Sequence, residues 1–398
     1  MSASVSRPVR LPVITNGTVL IHVDFLVTGI VMTFLGPMLP HLSARWSLTD
    51  TQSGSLIFAE FFSSIFGMLL SGFLVQRLGY RFTLMIGLVL MPAGMVLLAS
   101  GPWILGIVAI SILGLGYGVT TPAGNLRTAE NNPQGSASAL NVINAVWGVG
   151  AMSSPFLVDF ALRAHQPKMF LFGTAAALLT LLVAISLSRF VPDVRVEDKN
   201  SGTAQSAWSM PILPVICALF FVYVGTETSF GNWAAMYARR IAPDHRSLAT
   251  IAPAFFWGAL LLGRATAPLA LKSHSETTVA RTALILGVMG GVALVAARSI
   301  HLIMLGCFLA GLGLASIFPI SVSLFPRWFG DSARSVSGAV FGSGNIGGAV
   351  LPWIVGIIST RAGNLRWGYI VPLVGAAAML TFFVTQNGPR ATSRRDSL

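Results

Sequence analysis

The chain has 398 residues, 54% of them hydrophobic and only 10% charged, with a net charge of +12, an isoelectric point near 11.0 and a mean hydropathy of +0.76. That composition excludes a soluble globular protein, and basic residues scattered through short loops rather than gathered in one patch argue against nucleic-acid binding. Cys217 and Cys307 both lie inside apolar runs, so no disulfide framework, metal site or cofactor is expected.

A helical crossing of a bilayer takes about 20 mainly apolar residues, and backbone groups in lipid have to be satisfied within the segment, so the apolar runs read as helices. Twelve spans fit. Span 1, Thr18 to Leu42, is interrupted by Gly29, Gly36 and Pro37 and carries His22 and Asp24 near its start; Asp24 reads either as a proton-relay group or as a solvated carboxylate. A loop from His41 to Asp50 leads to span 2, Thr51 to Leu74, where Glu60 sits among Phe58, Phe61 and Phe62. Two readings stand for Glu60, a functional group facing the bundle interior and a structural one neutralised by a partner.

The turn that follows, Gly72-Phe-Leu-Val-Gln-Arg-Leu-Gly-Tyr-Arg81, resembles the loop between helices 2 and 3 of the major facilitator superfamily, matching at Gly72, Arg77, Gly79 and Arg81. The resemblance implies a cytoplasmic gating latch made by Gly72, Gln76, Arg77, Gly79 and Arg81. Gln76 stands where the family carries Asp, so the latch relies on hydrogen bonding in place of charge.

Span 3 runs from Phe82 to Ala99 and span 4 from Trp103 to Thr128, the latter containing Leu113-Gly-Leu-Gly-Tyr-Gly-Val-Thr-Thr-Pro-Ala-Gly-Asn125. Span 5, Ser136 to Ala161, carries Asn141, Asn144, Trp147 and Pro155, with Asp159 placed at its outer boundary; span 6 runs from Lys168 to Phe190. Residues 188–210 are polar, charged and without apolar periodicity, and form a central linker between halves at 1–187 and 211–398. Span 7 starts near Pro211 and holds Tyr223-Val-Gly-Thr-Glu-Thr-Ser-Phe-Gly-Asn-Trp-Ala-Ala-Met-Tyr237, the most polar stretch inside any apolar run. A carboxylate at the centre of a span costs roughly 2.5–3.5 kcal/mol on insertion scales, so Glu227 reads as a functional group, the alternative being a structural ion pair. Spans 8 to 12 cover Leu248 to Leu271, Val279 to Ala297, His301 to Phe325, Ser335 to Thr360 and Tyr369 to Thr385, and the tail carries Arg390, Arg394 and Arg395. Alternating loops put 16 of the 25 Lys and Arg on the side holding both termini and 9 on the other, so the termini are expected in the cytoplasm of a cell-membrane (inner-membrane) protein. The run after Arg7 and Arg10 is too long for a signal peptide, and a retained N terminus is expected.

An internal repeat is visible directly. Gly114, Gly116 and Pro122 recur as Gly311, Gly313 and Pro319, and Gly150 and Pro155 as Gly347 and Pro352, each displaced by 197 residues. The repeat points to a duplicated bundle, and the resemblance implies the major facilitator fold, an all-α membrane protein of 12 transmembrane helices in two pseudo-symmetric six-helix bundles; a monomer is expected. Small residues that let helices approach account for most individual glycines.

Substrate is expected near the midplane, where Asn144, Trp147, Tyr223, Glu227, Asn232, Trp233 and Asn345 are the candidates. Amides that donate and accept together, with indoles that stack on apolar ring faces, suit a neutral sugar or polyol. Arg127 and Arg264 fall near cytoplasmic ends, which argues against an anionic substrate. Within the superfamily, Tyr223-Val-Gly-Thr-Glu, Gly231-Asn-Trp233, Gly311 to Pro319 and Ile346 to Pro352 resemble the fucose-galactose-glucose/proton symporters. That resemblance implies a secondary active sugar transporter, with the proton as coupling ion. Fucose permeases use acids in helices 1 and 4, and Gly36 and Val119 stand at those positions here, so coupling would fall to Glu227, Glu60 or Asp24, or the protein is a uniporter. Drug or metabolite efflux and a non-transporting membrane receptor are the alternatives. No nucleophile-base set, metal cluster or phosphate loop at useful spacing points to an enzyme.

Overall fold

The computed structural model describes residues 16–132, 135–188, 208–323, 328–329 and 333–385; Arg7, Arg10, the linker residues 189–207 and the tail arginines Arg390, Arg394 and Arg395 lie outside the described residues. Among the described residues all regular structure is helical. The face from which the first helix rises is called proximal, and the opposite one distal.

Expected span 1 is two helices, α1 (Asn16–Thr33) and α2 (Leu35–Trp46). They part where Pro37 offers no N–H to the Thr33 carbonyl, the interruption that Gly36-Pro37 led one to expect. α2 runs four residues past the expected end at Leu42, with Arg45 favourably placed in its last turn, and closes on Ser47 in the left-handed region at φ 52°. Spans 2 and 3 form α3 (Asp50–Ser100), opened by a Thr49–Gln52 capping box and turned at Gly79, whose φ of 79° and ψ of 171° only glycine adopts without strain. Then follow α4 (Trp103–Asn131), α5 (Ser136–Arg163) and α6 (Pro167–Leu187). The second half consists of α7 (Ile212–Ile241), α8 (Arg246–Ala270), α9 (Glu276–Ala296), α10 (Ile300–Leu314) with α11 (Ile317–Ser323), α12 (Ala333–Ala362), and α13 (Leu365–Gly368) with α14 (Ile370–Thr385). Eleven helical stretches among the described residues are long and apolar enough to span a membrane, and the one of 51 residues turns back at Gly79, giving twelve crossings.

The duplication seen in the sequence is repeated in the contacts. A methyl at Gly114 would collide with the Glu60 carbonyl, and one at Gly311 with that of Phe256; likewise Gly150 meets the Leu26 carbonyl and Gly347 that of Phe221. Close backbone approach thus explains the repeated glycines. The repeated prolines have a matching consequence: Pro155 leaves the Ala151 carbonyl without its helical donor and Pro352 does the same to Gly348. Thr33 Oγ1 lies 3.3 Å from the Ala151 carbonyl and Thr228 Oγ1 3.4 Å from that of Gly348, while each hydroxyl's nearest acceptor is in its own helix, Gly29 at 2.8 Å and Val224 at 2.8 Å. Each half therefore sets a threonine of its own first span beside the carbonyl that its proline frees.

The halves pack through α3 on α12, α5 on α8, and α2 on α7 and α8. Side-chain links across them concentrate at the distal ends. Asp50 accepts from Arg240 Nη1 at 2.8 Å, from Nη2 and from the Ser359 hydroxyl; Thr51 N–H donates to Thr360 Oγ1 at 2.9 Å. On the other flank Ser247 donates to Asp159 at 2.7 Å while Arg163 pairs with the same carboxylate at 2.9 Å. At the proximal end Gly72, Gly338 and Gly342 each face open space.

Candidate functional site

α7 is buried continuously from Gly225 to Ala238, and the period of the helix places Tyr223 and Glu227 one turn apart on one face. Arg264 of α8 reaches both. Its Nη2 donates to Glu227 Oε1 at 3.1 Å and to the Tyr223 hydroxyl at 3.3 Å, with the Arg264 side chain 27% and that of Glu227 11% exposed. Glu227 is about 21 Å below the distal end of α7, and Arg264 about 27 Å below that of α8. Helical side chains lean toward the N terminus, which is distal in α8, so the guanidinium climbs back to the level of the carboxylate. The expectation that Arg264 stays near the cytoplasmic end is corrected on this point: its backbone is low, but its charge acts at midspan. With it goes the argument against anions. The signal available in the sequence was that Arg264 is the one charged residue in the run Leu248 to Leu271.

The first half faces this cluster with polar groups of its own. Tyr117, also about 21 Å below the distal end of its helix, lies close enough to Glu60, Glu227 and Arg264 to interact electrostatically with each. Tyr117, Thr121 and Asn125 follow one another at four-residue spacing along α4. Glu60 Oε2, Asn125 Oδ1 and Arg264 Nε are buried without a protein hydrogen-bond partner, while Thr121 and Trp147 offer their polar atoms to the Tyr117 hydroxyl. Buried polar atoms are nearly always paired, by protein or by water, and this set holds donors and acceptors together. Sequence reasoning missed Tyr117 and Thr121 because they were absorbed into a glycine-rich packing motif. Trp147 meets Trp257 of α8 edge-on at 6.0 Å, an aromatic contact between halves.

The other candidates fall elsewhere. Trp233 is fully buried and donates its indole N–H to the Pro352 carbonyl at 2.9 Å, and Asn232 is buried with its backbone against Gly36 of α2; both belong to helix packing near the distal seal in this conformation. Asn345 faces α3, its Oδ1 3.4 Å from a Ser64 hydroxyl whose nearer acceptor is the Phe61 carbonyl at 2.7 Å, and donates to its own helix at the Phe341 carbonyl at 3.0 Å. Asn144 is exposed and donates to the Leu140 carbonyl at 2.7 Å. Asp24 is wholly buried about 12 Å above the proximal end of α1, and neither carboxyl oxygen has a partner. In the proximal turn, Gln76 and Arg77 are exposed, Arg77 stacks over Phe73 at 5.4 Å, and Arg81 donates to the Ser186 carbonyl at the end of α6. Tyr80 donates to Glu130 at 2.5 Å under the Arg127 guanidinium, 5.3 Å from the ring.

Twelve crossings in two duplicated halves, with a polar cluster between them at midspan, define a membrane transporter rather than an enzyme. The sequence matches the Major Facilitator Superfamily over residues 25–241, and the chain belongs to that family. It is 24% identical over 373 residues to a glucose/galactose transporter of Brucella abortus, covering 88% of this chain and 89% of that protein. The fold is similar to that of the nucleoside transporter NupG, in a single-site variant, with a TM-score of 0.79 at 13% identity over 93% of this chain and 99% of that one. It is similar also to FucP in an outward conformation, with a TM-score of 0.64 at 18% identity over 94% and 99%.

Proposed function

We propose that the protein is a proton-coupled sugar carrier of the cell membrane, a monomer with both termini in the cytoplasm, divided into halves at 1–187 and 211–398 by the linker 188–210. The proximal face is then cytoplasmic, and the distal seal makes this an inward-facing state. The observation that carries the reading is the Tyr223–Glu227–Arg264 cluster set at midspan against Tyr117 and Glu60 of the first half. A sugar hydroxyl donates and accepts at once, which matches that mixed set. Relatives named as glucose/galactose transporters support the substrate class. Trp147 supplies an apolar wall with its indole N–H beside the Tyr117 hydroxyl, and Asn345 and Asn144 lie toward the cytoplasmic side of the path.

Coupling follows from the ion pair. While Glu227 is ionised it holds Arg264; a proton on Glu227 removes the attraction and releases guanidinium donors to the solute. Glu60 and Asp24, buried carboxyls with unpaired oxygens, are the other acids that could carry the proton, and the turn with Gly72, Gln76, Arg77, Gly79 and Arg81 acts as the cytoplasmic gate. Counterflow of labelled hexoses in proteoliposomes, repeated as net uptake with an imposed pH gradient, tests this. Wild type should exchange and accumulate, whereas Glu227→Gln should exchange without gradient-driven accumulation. Accumulation that survives Glu227→Gln would remove Glu227 as the proton carrier, and folded protein that exchanges no hexose would overturn the sugar reading.

A further inference from the structure

Away from the midspan cluster, a cavity of about 210 Å³ opens at the distal face between α2 and α6. His41, Arg45 and Lys168 line it together with Met38, Leu42 and Leu171, and no acid is among its lining residues. We propose that it binds the phosphodiester headgroup of an anionic phospholipid.

Four observations carry this. The guanidinium of Arg45 is held in place, donating to the Leu98 carbonyl at 3.2 Å and the Gly101 carbonyl at 3.0 Å and lying over the Trp46 ring at 5.2 Å. Two of its five N–H groups are thereby used and the rest stay available in a fixed fork suited to phosphate oxygens. Trp46 packs edge-on against Trp103 at 5.9 Å and donates to the Gly101 carbonyl at 3.3 Å, the kind of amphipathic ring contact that marks headgroup depth. Next, Pro167 and Lys168 are shared with a second crevice of about 520 Å³, also lined by Met169 and Phe172, which are 38% and 45% exposed on the membrane-spanning α6. A headgroup held in the first cavity would lay its glycerol and acyl chains along that apolar wall, which a free phosphate would not use. Finally, Arg45 and Lys168 face the cavity with no acid among its lining residues, so both charges are free for an anionic group.

The test is retention of lipid by the purified full chain, counted by native mass spectrometry after titration with phosphatidylglycerol, phosphatidylcholine or inorganic phosphate. Phosphatidylglycerol should bind and phosphatidylcholine should not. Each basic group near a lipid surface contributes on the order of a fivefold change in affinity, so Lys168→Ala should weaken binding roughly fivefold and Lys168→Glu roughly thirtyfold. Lys168 is exposed, so neither variant disturbs packing, and Lys272→Glu, an exposed change at the opposite face, should leave binding unaltered. Equal retention by Lys168→Glu and wild type, an equal loss in Lys272→Glu, or displacement of phosphatidylglycerol by millimolar inorganic phosphate would each overturn the proposal.

Discussion

The distal seal exists only while that face is closed, so weakening it should shift the conformational balance and leave the fold intact. In Asp50→Asn the carboxylate that gathers two Arg240 N–H groups and the Ser359 hydroxyl becomes a neutral amide of nearly the same shape. Hydrogen bonds to a charged group contribute about 1.5–3 kcal/mol, but the Arg240 side chain is 41% exposed and water screens its share. About 1–2 kcal/mol remains, all of it belonging to the distal-closed state, which is a shift of roughly 5- to 30-fold toward opening. Spin labels at Ser47→Cys and Asp244→Cys, exposed positions on opposite halves, report the separation by pulsed electron resonance once half-buried Cys217 is replaced by Ser. Asp50→Asn should enlarge the long-distance population, Ser359→Ala should move it less in the same direction, and Asp50→Asn with Arg240→Gln should do little more than either alone. A distance distribution in Asp50→Asn that coincides with the parent's would refute the reasoning, since the cluster would then not hold the face shut.

Further expectations concern the cluster, the turn and the packing. Arg264→Ala leaves Glu227 buried without its cation and should lower thermal stability by about 3 kcal/mol, less whatever water reaches the site, while adding Glu227→Gln should restore most of the loss; a double variant melting below Arg264→Ala would contradict this. Gly79→Ala puts a side chain at φ 79° and should cost about 1–2 kcal/mol in detergent unfolding, with transport slowed if the turn gates. Gly347→Ala drives a methyl into the Phe221 carbonyl and should cost about 1–3 kcal/mol, visible as a lower yield of folded protein. Trp233→Phe loses the bond to the Pro352 carbonyl and leaves a void where part of a fully buried indole stood, so about 2–4 kcal/mol of stability should go while hexose affinity stays within twofold; a large affinity loss would return Trp233 to the substrate path.

The fold was legible because lipid leaves few options. Twelve apolar runs and a 197-residue repeat of glycines and prolines define a duplicated helical bundle, and the motif from Gly72 to Arg81 marked the turn that the chain makes at Gly79. The site was legible only on the helix where polarity is concentrated. Tyr223 and Glu227 stood out as polar groups inside an apolar run, but the partner Arg264 lies on another helix, at a depth that a count along the sequence misjudges by the length of its own side chain. Trp233 shows the opposite error source: an indole in a polar stretch reads the same whether its N–H faces a solute or the carbonyl beside a helix proline. Pairing between helices, which decides such cases, is not written in the periodicity of either one.

The placement of charges connects these parts. Glu227 and Arg264 sit in the second half at midspan, whereas Asp50 of the first half meets Arg240 near the distal end of the same helix, α7. α7 therefore carries one ion pair within its half and one across the halves, separated by about 20 Å of continuous buried helix. A change at Glu227 that tilts or lengthens α7 against α8 acts at its distal end on the contact that keeps the halves together. Rigid helix packing over that distance provides a physical route by which a proton arriving from one face could bias the seal at the other. The route predicts that Glu227→Gln, with no change at the distal face, shifts the Ser47–Asp244 distance distribution, and that the shift disappears in the Asp50→Asn background, where the seal is already weakened. A shift of equal size in both backgrounds would mean that Glu227 acts on the halves by another path.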